Sequence, residues 1–163
     1  MKLYFLRHGS AEERHEGRRD FDRRLTAEGI AEMKRVAKGL ADLEVAVDLI
    51  ITSPLPRALA TAKIAQAALK APAESLVVSD RVAAGAFEFE ELQELVRGLP
   101  EDHRVMLVGH EPDFSGIVRD LTGATIELKK AGLALIEAYR IERGSGVLRW
   151  LVTPRLLQSA ARE

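Results

Sequence analysis

The 163-residue chain is 47% hydrophobic and 30% charged, which suffices for one well-buried core and is too short for two ordinary domains, so a single domain over residues 1–163 is expected. Lys and Arg (24) nearly balance Asp and Glu (25), leaving a net charge of -1 and no global attraction to nucleic acid or an anionic membrane. The lack of cysteine excludes disulfides, thiolate nucleophiles and Cys-based zinc sites and suits a cytoplasmic protein, and no apolar run approaches the ~20 residues of a membrane-spanning helix.

The run Leu3-Tyr4-Phe5-Leu6 is aromatic and branched, reads as a buried strand, and stops abruptly at Arg7-His8-Gly9. That stop comes too early for a signal peptide, and Gly9 is expected to permit a sharp exit from the strand. Glu12 to Arg24 holds five arginines and five acids, a charge-balanced segment that reads as a solvated loop with little core. Thr26 is placed as the N-cap of a helix from about Ala27 to Leu40, with Ile30, Met33, Val36, Ala37 and Leu40 at helical spacing. Val45 to Thr52 is nearly continuous and β-branched, as a strand covered on both faces would be, and Ser53-Pro54-Leu55-Pro56-Arg57 ends it.

From Pro56, a good first helical residue, to about Leu69 the alanine-rich run predicts a helix with Arg57 in its first turn. Leu76 to Val78 is a short strand, Asp80 to Phe87 a loop, and Glu88 to Leu99 an amphipathic helix with Leu92, Leu95, Val96 and Leu99 inward. Arg104 to Gly109 repeats the opening design, an apolar strand that runs into a glycine and then His110. A helix from about Asp113 to Leu121 follows, then a hairpin of Gly132–Ile141 and Val147–Val152 around a glycine-rich turn. The tail from Arg155 reads as a frayed helical turn.

This order predicts an α/β fold, a three-layer α/β/α sandwich with a mainly parallel central sheet and a C-terminal antiparallel hairpin. Every parallel strand then points its carboxyl end at one rim, where such sheets bind ligands, and Arg7, His8, Arg57 and His110 all follow strand ends. Arginine offers a planar fork of donors that matches phosphate oxygens, and a neutral imidazole can attack phosphorus. The four residues therefore predict a phosphoryl site with His8 as nucleophile. Metal binding is the chemical rival for two histidines, but His8 is flanked by a cation and only Glu111 stands beside His110, so no metal is expected. His15 and His103 are read as solvated.

Three motifs in order carry a resemblance: Leu6-Arg7-His8-Gly9-Ser10-Ala11, Ser53-Pro54-Leu55-Pro56-Arg57-Ala58-Leu59-Ala60-Thr61, and Val108-Gly109-His110. With them the chain resembles the histidine phosphatase superfamily and its phosphoglycerate-mutase-like fold. Arg23-Arg24-Leu25-Thr26, where the branch has Arg-Pro-Leu-Thr, the Gly85-Ala86 loop and Gly109-His110-Glu111-Pro112 resemble the SixA-type phosphohistidine phosphatases. The resemblance implies a phosphohistidine enzyme intermediate, phosphate binding by His110, no cofactor, and Arg23 as a third clamp on substrate. It also points to the segment after the third strand for a general acid, where Glu88 suits that role and an ordinary helix first turn equally. The implied substrate is a phosphohistidine-bearing protein of a phosphorelay or carrier type; a small-molecule phosphomonoesterase and a phospho-group binding module without turnover are the alternatives. Because every connection except Glu12 to Arg24 is short, the site is expected to be shallow and open.

Overall fold

The structure is a computed structural model that describes residues 1–162. Six strands form one sheet: β1 (Lys2–Arg7), β2 (Leu49–Thr52), β3 (Leu76–Val78), β4 (Arg104–Gly109), β5 (Leu133–Glu137) and β6 (Val147–Val152), in spatial order β3-β2-β4-β1-β5-β6. β1 to β4 are mutually parallel, β5 runs antiparallel to β1, and β6 runs antiparallel to β5. The chain leaves β1 towards β2, returns to place β4 between them, then leaves for β5 on the far side. The rim above β1 and β4 is therefore where the connections diverge, and a crevice forms at such a point.

Two apolar layers follow from the period-two alternation of the strands. Leu3, Phe5, Ile51, Val105 and Leu107 face α3 (Phe89–Val96) and α4 (Asp113–Thr122), which contribute Phe89, Leu92, Phe114, Ile117 and Leu121. Tyr4, Leu6, Ile50, Met106 and Val108 face the opposite layer of α1 (Ala27–Asp42), α2 (Pro56–Ala68) and α5 (Pro154–Ala160). The predicted three-layer α/β/α architecture is thus the observed one. On α2 the core face is made of Ala58, Ala62 and Ala65, so this helix lies close to the sheet and carries Arg57 low over the rim.

Several boundaries differ from expectation for local reasons. The second strand begins at Leu49 rather than Val45, because Glu44 turns with φ of 59° and the Val45 amide still bonds the Leu40 carbonyl. α3 spans only Phe89–Val96, since Gly98 with φ of 78° turns the chain before Leu99. β5 stops at Glu137, four residues short of the predicted Ile141, as the chain bends away into the connection to β6. The tail is a capped helix: Thr153 accepts from the Leu156 amide, and Leu157 is fully buried. α5 lies so close to α1 that a Cβ on Gly39 would sit 1.8 Å from the Leu157 carbonyl oxygen.

Candidate active site

Parallel pairing of β1 with β4 sets Arg7 opposite Gly109, so His8 and His110 leave adjacent strands side by side. Their ring centroids are 5.3 Å apart. Gly9 does not use the left-handed region for the exit from β1, and a Cβ there would make only ordinary contact with Leu25 and Met33. Gly109 does have a steric reason, because a Cβ there would meet the Phe114 ring at 2.9 Å. Arg57 reaches the same rim from the first turn of α2. Thr61 ties that helix to the histidine loop: its hydroxyl donates to the Arg57 carbonyl at 2.8 Å and accepts from the Gly9 amide at 3.1 Å.

Hydrogen bonds fix the tautomer of each ring. His8 Nδ1 lies 2.7 Å from the Gly9 carbonyl oxygen, which can only accept, so Nδ1 carries the proton and Nε2 keeps its lone pair. His110 Nε2 lies 2.8 Å from Ser53 Oγ, and that hydroxyl also accepts from the Leu55 amide at 3.2 Å. The Ser53 hydroxyl has no other acceptor for its proton among the described residues, so it donates to Nε2, which leaves the His110 proton on Nδ1. Burial lowers the His8 ring; its bond to Gly9 opposes this, while the charges of Arg57, Arg7 and Lys130 push it further, to about 4. Burial, then the neighbouring His8 and Arg57, take His110 down to about 3. Both rings are neutral at pH 7.

Three buried side-chain nitrogens have no hydrogen-bond partner among the described residues: Arg7 Nε, Arg57 Nε and His110 Nδ1. All belong to the predicted constellation, and each is a donor. Orphaned buried donors cost on the order of 1–3 kcal/mol apiece, so a cluster of them signals a missing acceptor. The remaining donors of the guanidiniums hold them in place, with Arg7 Nη1 bonding the Leu128 carbonyl at 2.9 Å. An anion with several acceptor oxygens fits this set, and a bare nucleophilic nitrogen stands beside it. Among the described residues no group of three or more His, Asp or Glu side chains is placed to hold a metal.

The site expected to be shallow and open holds deeply seated side chains. His8, Arg57 and His110 are only 6%, 3% and 2% exposed. The segment Glu12 to Arg24 has no buried residue, as expected of a solvated loop, yet its 3-10 turn at Asp20–Asp22 lies against Arg57. Asp20 meets Arg57 twice, its carbonyl accepting from Nη1 at 2.9 Å and its carboxylate from Nη2 at 3.2 Å. The same carboxylate accepts from Arg23 Nε at 2.9 Å and pairs with Arg14 Nε at 3.1 Å. Burial would raise the Asp20 carboxyl, but Arg57 and Arg23 outweigh it and hold it below the usual value. Arg23 therefore joins the rim through Asp20. Nothing local in the sequence marks Asp20, whose partner Arg57 is 37 positions away.

Glu88 is exposed and opens α3, lining a surface groove with Phe87, Pro112 and Asp113; no hydrogen bond or ion pair joins it to the four central residues. His15 is exposed, and His103 lies at the opposite end of β4 from His110.

The sequence profile of the family described as Histidine phosphatase superfamily (branch 1) matches residues 3–111, which hold all four central residues. An uncharacterised protein of Picosynechococcus sp. is 39% identical over 140 residues, covering 82% of each chain. The solved structure assigned as the phosphohistidine phosphatase SixA of Agrobacterium tumefaciens is 28% identical, with a TM-score of 0.79 over 94% of this chain and 97% of that one. The protein histidine phosphatase SixA complexed with tungstate shares the fold at 22% identity, with a TM-score of 0.83 over 96% and 99% of the two chains.

Proposed function

We propose that this chain, which belongs to the histidine phosphatase superfamily (branch 1), hydrolyses phosphohistidine on a protein through a covalent intermediate on His8. Phosphatase chemistry is the property of the family; the substrate and the roles below are our reading. His8 Nε2 attacks phosphorus as the bond to the leaving nitrogen breaks, that nitrogen takes up a proton, and water then attacks the phosphoimidazole to release phosphate and restore His8. Arg7 Nε, Arg57 Nε and His110 Nδ1 donate to the phosphoryl oxygens, and the two guanidinium charges stabilise the transition state without a metal ion.

The observation that carries the reading is the cluster of three buried, unpartnered donors beside a neutral imidazole. A phosphohistidine substrate is favoured over an alkyl phosphate by the leaving group. Asp20, the carboxylate lying on Arg57, is held ionised and has no proton to give an alkoxide. An imidazole nitrogen is far easier to expel. The likeness to structures bearing the name phosphohistidine phosphatase points the same way.

The experiment compares two peptides of one sequence, carrying phosphohistidine or phosphoserine, with an alkaline quench to trap the enzyme intermediate. We expect kcat/KM to favour phosphohistidine by at least ~10²-fold, about 2.7 kcal/mol of transition-state binding. We also expect an alkali-stable, acid-labile phosphoenzyme that maps to His8 and disappears in His8→Ala. Label on another residue would overturn the nucleophile. Equal rates, or a preference for a small phosphomonoester, would make the protein a phosphomonoesterase of the same superfamily.

A further inference from the structure

We infer that Asp20 is an internal ligand of the phosphoryl site, a latch that a bound phosphoryl group displaces from Arg57, so that the segment Glu12 to Arg24 opens when substrate enters. This rests on the proposed phosphatase reading and adds to it how the site is reached. Arg57 Nη1 and Nη2 are taken by the Asp20 carbonyl and carboxylate, so a phosphoryl group that engages this end of the guanidinium has to displace Asp20.

The covering segment is built to move. Its ends are pinned by the bridge of Ala11 with Leu25 and by the Glu12 amide bonding the Arg24 carbonyl at 2.8 Å. Between these pins the 3-10 turn contributes no buried residue, and Phe21 remains 45% exposed. What holds it down is polar: the Asp20 carboxylate with Arg57, Arg23 and Arg14, and the Asp20 carbonyl with Arg57. Charge pairs without apolar burial open at small cost. A carboxylate also presents the same acceptor chemistry to a guanidinium as a phosphoryl group, but with one charge against nearly two and two oxygens against three. The phosphoryl group therefore wins the exchange for Arg57, and the released turn uncovers the rim. In the empty protein the latch keeps Arg57 and Arg23 paired.

Inorganic phosphate is the probe, read by calorimetric affinity and by amide exchange. In the wild-type protein phosphate should accelerate exchange of the Asp22 and Arg23 amides, which bond the Arg19 and Asp20 carbonyls inside the turn. Asp20→Asn keeps the shape, weakens the latch to neutral hydrogen bonds, and should bind phosphate about tenfold or more tightly. Asp22→Asn removes a charge from the same turn, where Asp22 pairs with Arg19 and not with the site, and should leave affinity unchanged. Unchanged or weaker phosphate binding by Asp20→Asn would overturn the latch while leaving the phosphatase reading intact. Tighter binding without faster wild-type exchange would reduce Asp20 to a nearby charge and overturn it too. Phosphate binding by neither protein would remove the site reading, and the latch with it.

Discussion

His8 shows how much a single residue owes to its setting. A free imidazole near neutral pH divides its time between two tautomers and a cation; here the Gly9 carbonyl, burial and the surrounding cations leave one state, neutral and protonated at Nδ1. Ser53 does the same for His110 from the opposite ring nitrogen, leaving a donor where His8 presents a lone pair. The proposed division of attack and phosphate binding between the two rings rests on this difference in hydrogen bonding. Long-range ¹⁵N–¹H spectra of the ring nitrogens check this. Both rings should remain neutral and Nδ1-protonated at pH 5.5, well below the ordinary histidine value. A ring that titrates near 6.5, or one protonated at Nε2, would contradict the assignment.

At the level of elements, two helices are seated by the absence of side chains. α2 approaches the sheet on alanines, which brings Arg57 to the rim, and α1 receives α5 across Gly39. Glycine inside a helix costs about 1 kcal/mol relative to alanine, so an exposed Gly39 would gain from replacement. In this structure Gly39→Ala puts a methyl group 1.8 Å from the backbone oxygen of Leu157, and backbone cannot step aside as a side chain can. We expect Gly39→Ala to destabilise by roughly 1–3 kcal/mol, measured by urea unfolding, and to loosen α5 in amide exchange. A stabilised variant would show that α5 does not dock there.

For the whole molecule, burying two neutral histidines makes stability depend on pH. The folded values of about 4 and about 3 lie below the ordinary 6.5, so between those limits the unfolded chain binds more protons than the folded one. Stability contributed by these residues is complete above about 6.5 and is lost as pH falls towards the folded values. For one such ring the loss from pH 7 to pH 5 is about 2 kcal/mol. We therefore expect His8→Ala to lose less stability than wild type over that interval, by about this amount in urea unfolding. An equal loss would mean that the His8 ring is solvated in the folded protein.

The sequence by itself determined the layered architecture and the four central residues. Strand polarity and burial are written in local periodicity, and a parallel sheet sends every strand end to one rim, so Arg7, His8, Arg57 and His110 could be grouped before their separation was known. Branch-level resemblance through Arg23-Arg24-Leu25-Thr26 also rested on residues close together in the chain. What only the tertiary structure decided was cover and pairing. The Glu12 to Arg24 segment has no periodicity and a cancelling charge, so nothing in it revealed that Asp20 would find Arg57. Likewise the tail reads in the sequence as a frayed helical turn, and it is a capped helix because Gly39 lets Leu157 into the core. Such contacts depend on which distant backbone happens to come within a few ångströms, and that distance is a property of the folded chain rather than of any stretch of it.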